Sequence, residues 1–265
     1  MSVISPPQTV GTLLREWRHR RRLSQLDLAG AAEVSARHVS FVETGRSRPS
    51  RELVLHLAGH LDVPLRDRNT LLMAAGYAPT YPETPLDAEE MAPVREALDK
   101  ILSGHRPFPA VVVDRHWNLV SANPPALTIL ADGVAPELLG PGANTLRVSL
   151  HPEGLAPRIV NLAQYSAHLI ERIDRLAAVS GDPELLSLGD ELRRYPGVSA
   201  GHADGSDAAA RLYVPLVLRH GSGGELTFFS TIATFGTAQD ITIAELAIES
   251  FFPADEHTAA VLGAR

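Results

Sequence analysis

The sequence predicts a multidomain protein in which an all-α domain of five helices precedes an α+β domain with an antiparallel sheet. The chain has 265 residues, of which 45% are hydrophobic, so it can fill two ordinary cores at about 100–200 residues per domain. Apolar residues recur at helical spacing as far as position 76, whereas strand-like runs begin near position 110. The net charge also changes from positive to negative after residue 76. Residues 1–76 carry 11 Lys+Arg and 7 Asp+Glu, and the remainder carries 13 and 24, within a net charge of −7.

Five helices are predicted before residue 77 from their caps and their apolar spacing. Ser24 and Asp27 form a capping box, and Ser35 and Ser50 suit the N-termini of the third and fourth helices. Gly45 supplies the left-handed residue that commonly ends a helix. The predicted helices cover 9–22, 24–31, 35–44, 51–61 and 64–76.

Beyond the fifth helix, a segment rich in Pro, Glu, Asp and Thr over 78–93 is typical of a linker. The predicted domains are therefore 1–77 and 105–265, joined by a linker and connecting helix over 78–104. Amphipathic spacing and β-branched runs distinguish the later helices from the strands. The predicted helices are 93–102, 124–130, 157–179 and 183–195. The predicted strands are 110–114, 118–121, 211–219, 225–235 and one more from about Ile241.

Several classes of function are disfavoured by what the sequence lacks. There is no cysteine, which excludes disulfides, thiolate metal sites and cysteine nucleophiles. Without a run of 18 apolar residues or a signal-peptide pattern, we expect a soluble, cytoplasmic protein with no membrane partner. The H-E-x-x-H, G-x-S-x-G and Walker patterns are also missing, so no catalytic residue and no cofactor is expected. His56 and His60 have metal-ligand spacing but no obvious third ligand, so no metal site is expected either.

The stretch from Leu23 to Ser50, LSQLDLAGAAEVSARHVSFVETGRSRPS, contains two short predicted helices separated by a tight turn at 32–34. Over about residues 9–76 the chain resembles the Xre family of phage-repressor-type helix-turn-helix proteins. The matching signature is Ser24-Gln25, Leu28-Ala29, Val34-Ser35, Ser40, Glu43, Gly45-Arg46 and Pro49-Ser50. This resemblance implies a domain that binds double-stranded DNA, which agrees with the basic charge of the first 76 residues.

The resemblance also implies which residues contact DNA. They are Gln25, Ser35, Ala36, Arg37, His38, Ser40, Phe41, Arg46 and Arg48. Gln25 and Ser35 would contact phosphates at helix N-termini, whereas residues 36–38 would lie in the major groove. Arg37 is the expected base reader, because a guanidinium can bind guanine O6 and N7 with two hydrogen bonds. Arg46 and Arg48 would contact the phosphate backbone. Glu43 is expected to be structural, since phosphate repels a carboxylate.

A second resemblance begins with VVVDRHWNLVSANPPALTIL at 111–130, a predicted strand, turn, strand and helix similar to the opening of a PAS-type sensory domain. The match continues through HPEGLAPRIVNL at 151–162, ELTFFSTIATFGTAQDITIAEL at 225–246 and IESFFP at 248–253. Over about residues 105–260 the chain resembles the MmyB-like ligand-binding domain, which occurs joined to Xre modules. The resemblance implies a PAS-like fold with an apolar cavity for a small, fatty-acid-like molecule.

Candidate ligand contacts come from the faces of the predicted elements. Alternate residues of the strand 225–235 share one face, which the helix 157–179 would cover. An acyl chain with a carboxylate would also need a polar anchor. The apolar candidates are Leu162, Leu169, Leu226, Phe228, Ile232 and Phe235, and the polar candidates are Tyr165, His168, Arg211 and Tyr213. Most of them are expected simply to fill the core.

The sequence therefore favours a DNA-binding transcription regulator that binds a palindromic operator as a homodimer and senses a small apolar or amphipathic ligand. Two alternatives stay open. In the first, the second domain is a ligand-free dimerisation or protein-interaction module. In the second, it is an enzyme fused to a DNA anchor, and the missing catalytic motifs count against this reading.

Overall fold

The chain forms two units in the computed structural model, which describes residues 8–199, 213–221 and 223–263. The first unit runs to Thr84 and also includes the segment Thr237–Ala244. The second unit begins at Pro85 and resumes at Glu245 after that segment. The predicted fold class, an all-α domain followed by an α+β domain, is confirmed.

Five helices form the N-terminal part of the first unit, and the caps of the second, third and fourth are those that the sequence predicts. Ser24, Ser35 and Ser50 each accept a hydrogen bond from the backbone N–H three residues further on. The helices are α1 (Val10–Arg20), α2 (Gln25–Ala31), α3 (Ala36–Glu43), α4 (Arg51–His60) and α5 (Leu65–Ala74). Their apolar faces enclose one core, which includes Leu14, Trp17, Leu28, Val39, Leu57 and Leu72. The predicted bounds differ from the observed ones by one or two residues.

An antiparallel sheet of five strands lies at the centre of the second unit. The strands are β1 (Ala110–Val113), β2 (Leu119–Ala122), β3 (Leu216–Arg219), β4 (Glu225–Thr234) and β5 (Ala247–Pro253). They are arranged in the order β2-β1-β5-β4-β3, and each neighbouring pair is antiparallel. The helices are α6 (Ala92–Gly104), α7 (Pro124–Ile129), α8 (Thr145–Leu150), α9 (Leu162–Ser180), α10 (Pro183–Leu192) and, near the end of the chain, α12 (Glu256–Gly263); α11 (Ile241–Ala244) belongs to the first unit.

Alternate residues of the strands divide the sheet into two faces, and helices cover both. Val111 and Phe251 lie on the inner face, which packs against α7 to α10. Val112 and Ile248 lie on the outer face together with Leu98 of α6. The inner face therefore supplies one side of the main core.

Two predicted elements of the second unit begin about five residues too early, and the helix predicted over 183–195 ends at Leu192. The helix predicted over 157–179 begins only at Leu162, because the residues before it run beside β3: the Val160 N–H donates to the Val217 carbonyl at 2.8 Å. The strand predicted over 211–219 is regular only from Leu216. Its first two residues lie outside the described residues, and Pro215 has no N–H to donate to a strand ladder.

The strand predicted from Ile241 is wrong, since this residue begins α11 and the strand β5 starts at Ala247. The Asp240 carboxylate accepts a hydrogen bond from the Thr242 N–H at 2.8 Å, which favours a helical turn. Ile241 is buried in the first unit, and its N–H donates to the Pro82 carbonyl at 2.8 Å. Packing therefore overrides the strand preference of these β-branched residues.

Candidate DNA interface and ligand cavity

Close contact with α1 holds α3 in place. A Cβ added to Gly11 of α1 would lie 2.4 Å from the Val42 carbonyl oxygen of α3, so only glycine permits this approach. The turn between α2 and α3 contains Glu33, whose φ of 52° lies in the left-handed region. Gly45 has a φ of 72° and ends α3 as predicted.

Glu43 joins the first three helices through a buried network. Its carboxylate accepts hydrogen bonds from Arg18 at 2.6 and 2.9 Å and from the Gln25 amide at 2.8 Å. Arg15 adds a longer contact of 3.4 Å. Burial alone would raise the pKa of Glu43, but the hydrogen bonds from Arg18, Gln25 and Arg15 outweigh it and hold that pKa below its ordinary value. The structural role expected for Glu43 is confirmed.

The N-terminal part of α3 presents its polar side chains to solvent. Arg37 and His38 are exposed, and Ser35 caps the helix immediately before them. The guanidinium carbon of Arg37 lies 5.1 Å from the centre of the Phe41 ring, and that of Arg46 lies 5.9 Å from the same ring. Phe41 thus supports two cations on one surface, as cation–π attraction favours.

Other residues expected to contact DNA have partners inside the first unit. Gln25 donates to Glu43, and the Arg48 guanidinium donates to the Ala75 carbonyl at 3.0 and 3.3 Å. Ala36 is half-buried and packs against the helical core, and Ser40 is half-buried beside it. The structure therefore brings Arg37, His38 and Arg46 together as the freely presented polar groups among the nine expected contacts.

A cavity of about 70 Å³ lies against the inner face of the sheet in the second unit. Its wall contains 17 residues from β1, β2, β3, β5, α7, α8, α9 and the segments between them. Thirteen of the 17 are apolar: Val111, Leu119, Ala126, Leu130, Ala131, Leu139, Ala143, Leu146, Val148, Leu155, Leu169, Leu216 and Phe251. The four polar ones are Thr145, Ser149, Tyr165 and Glu249. This composition suits an apolar ligand with one polar end.

The polar end of the cavity contains Tyr165 and Glu249. Burial, and then the charge of Glu249, raise the pKa of Tyr165, so its hydroxyl stays neutral. Oε1 of Glu249 accepts a hydrogen bond from Ser230 at 3.0 Å and lies 3.4 Å from Nη1 of Arg172. The Arg172 guanidinium carbon lies 4.0 Å from the centre of the buried Trp117 ring. The positive charge is thus held beside the carboxylate, against an aromatic face.

A family model described as the MmyB-like transcription regulator ligand binding domain matches residues 94–264, which is more than half of the chain. The chain belongs to the MmyB-like transcription regulators. A helix-turn-helix domain model matches residues 9–71, the part of the chain that contains α1 to α4 and most of α5. The MmyB-like match contains the whole sheet and the cavity. The helix-turn-helix domain and the MmyB-like domain expected from the sequence are both confirmed.

Three solved structures show low similarity to this MmyB-like regulator. The crystal structure of the clp gene regulator ClgR from Corynebacterium glutamicum is 25% identical, covers 38% of this chain and 99% of its own, and gives a TM-score of 0.23. The structure of a single-substitution variant of RsLOV is 15% identical, with 64% and 77% coverage and a TM-score of 0.30. The structure of an RNA-binding Light-Oxygen-Voltage receptor is 14% identical, with 97% and 62% coverage and a TM-score of 0.27. TM-scores this low do not establish a common fold. No curated protein matches the chain.

Of the ten residues expected to contact a ligand, Tyr165 and Leu169 line the cavity of the MmyB-like domain. Leu226 and Phe228 are buried in the main core, and Leu162 packs against it from a half-buried position. Ile232 and Tyr213 are exposed, whereas Phe235 packs against the outer-face cluster. His168 is half-buried outside the cavity wall, where burial, and then the charge of Arg172, lower its pKa. Arg211 lies outside the described residues.

Glu249 is the functional candidate that the sequence analysis missed, together with its partner Arg172 and the Trp117 ring on which Arg172 stacks. The signal was a carboxylate within the strand AIESFFP, at the same parity as Phe251 and therefore on the inner face. A charged residue is rarely buried without a partner, so its position was informative.

Two features are absent from the part of the chain that the structure describes, a membrane-spanning helix and a metal-binding group of side chains. No helix there combines the length and apolarity that a bilayer span requires. No group of three His, Cys, Asp or Glu side chains in the same residues could hold a metal ion.

Proposed function

We propose that this regulator reads an operator with α3 in the major groove and senses a small apolar or amphipathic molecule in the cavity of the MmyB-like domain. Residues 1–77 act as the DNA-binding domain, 78–104 as the connection and 105–265 as the sensor. The chain acts by binding rather than by catalysis. A homodimer on a palindromic site fits the way helix-turn-helix proteins place two recognition helices one turn of DNA apart.

The sensing part of this proposal rests on the cavity in the MmyB-like domain. Protein interiors are close-packed, and natural voids larger than a water molecule are few. A single water needs roughly 10–15 Å³ of such volume, so a cavity of about 70 Å³ would hold several waters. Its largely apolar wall gives few of those waters a partner. An alkyl chain, as in a fatty-acid-like molecule, replaces that water with dispersion contacts and buries its own apolar surface.

The DNA part of the proposal rests on exposed basic side chains at the start of α3 and just beyond its end. Arg37 and His38 are the second and third residues of the helix, and Arg46 lies three residues beyond its last residue, Glu43. This spacing presents a base-reading group and a phosphate-binding group on the same surface. A ligand changes operator affinity only if it binds the DNA-competent and DNA-incompetent conformations with different affinity.

Native mass spectrometry of the purified protein, followed by analysis of its solvent extract, tests the sensor. A bound mass that is lost on denaturation supports the proposal. That compound is then added to an operator-binding assay in which duplexes selected from a random pool are titrated by fluorescence anisotropy. A change of at least about five-fold in operator affinity is expected, the lower end of ordinary allosteric coupling.

A second candidate function for the MmyB-like domain is favoured by exposed apolar side chains on two neighbouring helices. Leu176 and Val179 of α9 and Leu186 of α10 are 40%, 48% and 54% exposed. In this candidate the MmyB-like domain is a ligand-free dimerisation or protein-interaction module. A protein free of bound small molecules, with operator affinity that no extracted compound changes, would favour it over the sensor.

A further inference from the structure

The polar groups on the cavity wall are almost all hydrogen-bond acceptors. The Thr145 hydroxyl donates to the Trp117 carbonyl at 3.1 Å, and the Ser149 hydroxyl donates to the Thr145 carbonyl at 2.8 Å. Each of these hydroxyls has used its one hydrogen and offers only lone pairs to a ligand. Tyr165, for which the described residues provide no hydrogen-bond partner, is therefore the one wall side chain among them with an O–H to offer.

Glu249 adds the strongest acceptor. It lies on the cavity wall and is 7% exposed. Its Oε1 is used by Ser230 and Arg172, whereas no hydrogen bond to Oε2 is found within the described ranges. A carboxylate at the edge of an apolar cavity attracts a donor and repels a second carboxylate.

Arg172 does not reverse this preference, because it is not part of the cavity wall. Its guanidinium stacks on Trp117 and contacts Oε1 of Glu249, where it balances the carboxylate charge. Nη2 of Arg172 is buried and has no partner among the described residues, which keeps this cation an incompletely paired neighbour of Glu249. A ligand in the cavity thus meets the carboxylate first.

We propose that the cavity selects an alkyl chain whose head group donates a hydrogen bond, either a hydroxyl or an ammonium, over a chain that ends in a carboxylate. This assignment rests on the proposed sensing function and names the ligand class of the same cavity. The head group donates to Oε2 of Glu249 and accepts, where it can, from the Tyr165 hydroxyl. The chain lies along the apolar wall formed by Val111, Leu146, Leu169 and Phe251.

The size of the cavity sets the length of the probe. At roughly 10–15 Å³ for each water, 70 Å³ corresponds to about five to seven waters. A chain of about eight non-hydrogen atoms occupies a similar space. The three octyl compounds 1-octanol, octylamine and octanoate therefore differ in head group while matching the cavity in volume.

Isothermal titration calorimetry of the full chain, first delipidated, compares the three probes at about pH 7 and about 0.15 M salt. We expect 1-octanol and octylamine to bind at least about ten-fold more tightly than octanoate, because only octanoate places two carboxylates together. Octanoate binding as tightly as the other two would overturn the head-group assignment and leave the sensor standing. Binding of none of the three would count against the sensor itself, and with it the assignment.

Glu249→Gln separates charge from shape, since glutamine has nearly the same size. For this variant we expect octylamine affinity to fall about ten-fold, octanoate affinity to rise about ten-fold and 1-octanol affinity to change less than about three-fold. Glu256→Gln removes an equal charge from an exposed position on α12 and should leave all three affinities unchanged. Equal responses of the two variants would overturn the role of Glu249. The wild-type comparison stands by itself if Glu249→Gln loses its native circular dichroism.

Discussion

Glu43 connects α1, α2 and α3 through one carboxylate, so its protonation state matters to the whole first unit. Because its pKa is lowered in the folded state, its stabilising effect is complete above its ordinary pKa of 4.5 and is lost as pH falls through the lower folded-state value. Glu43→Gln leaves the Arg18 cation buried without its counter-charge. We expect a loss of about 3–5 kcal/mol at neutral pH, with little further loss on acidification below about pH 4.5. Hydrogen exchange of the α1 and α3 amides measures it.

The matched control for this prediction is Glu33→Gln, an equal charge change at an exposed position in the turn between α2 and α3. It should alter the stability of the unit by less than about 0.5 kcal/mol. If the amides of α1 and α3 exchange hydrogen equally slowly in Glu43→Gln and in Glu33→Gln, the buried network does not hold the three helices together.

Arg37 is the side chain that we expect to read a base. Its guanidinium stacks on Phe41 5.1 Å away, which limits its rotamers before DNA is bound. Arg37→Ala should cost about 1–3 kcal/mol in operator affinity and relax the preference at one base pair. Selection of duplexes from a random pool by the variant and by wild type measures both effects.

Arg46 provides the contrast to Arg37, because it also contacts Phe41 but lies beyond the end of α3. Arg46→Ala should weaken binding equally for all sequences and reduce the slope of log affinity against log salt by about 1. A uniform loss for Arg37→Ala instead would place it on the phosphate backbone and make the major-groove assignment wrong.

At the scale of elements, the close contact of α1 with α3 is a specific test of how the recognition helix is positioned. Gly11→Ala places a methyl group 2.4 Å from the Val42 carbonyl oxygen and 2.7 Å from that of Glu43, and both are backbone atoms that cannot turn aside. We expect destabilisation by about 1–3 kcal/mol, the usual range for overpacking. Gly30→Ala in α2 meets nothing within 4 Å and should instead stabilise by about 0.5–1 kcal/mol. Urea unfolding of both variants measures the difference, and equal effects would contradict the contact.

Elements whose signals are local were predictable from the sequence. Ser24, Ser35 and Ser50 cap three helices of the first unit with their own side chains, so each signal lies within four residues of its effect. The segment after Asp240 shows the opposite case. Its β-branched residues favour a strand, yet burial of Ile241 against distant residues makes it helical. No short window of sequence contains that information.

The cavity was less predictable than the elements that build it. Leu169 was found because it lies on the apolar face of a long amphipathic helix, and Tyr165 because it is a polar side chain of the same helix that could anchor a ligand. The wall also draws on α8, which is only six residues long, and on irregular segments whose faces have no period to read. Glu249 was overlooked because its strand was predicted to begin near Ile241, six residues before the true start of β5, and because a carboxylate is rarely assigned to a core.

At the scale of the whole molecule, the segment between β4 and β5 offers a covalent route from the cavity to the DNA-binding unit. Glu249 and Phe251 of β5 line the cavity, while residues 237–244, just before β5, belong to the first unit. There the Asp240 carboxylate accepts hydrogen bonds from the Thr84 N–H at 3.1 Å and the Thr84 hydroxyl at 2.7 Å. A shift of β5 on ligand binding would therefore pull on a segment that is anchored beside α5.

Asp240→Ala removes this anchor without touching the cavity wall or the exposed face of α3. We expect its operator affinity without ligand, and its affinity for the tightest of the three octyl probes, to stay within about three-fold of wild type. The effect of that probe on operator affinity should fall to less than about two-fold, because coupling needs an element that both sites bias. Fluorescence anisotropy of a selected duplex, with and without saturating probe, measures it.

Asp255→Ala is the matched control, since Asp255 also accepts a backbone hydrogen bond, from the Thr258 N–H at 2.7 Å, but caps α12 after β5 has ended. It removes the same kind of side chain and cap while leaving the Asp240 anchor intact, so the probe should change operator affinity as it does in wild type. Full coupling in Asp240→Ala would show that the segment is a passive connection, and loss of coupling in both variants would trace it to the stability of the second unit.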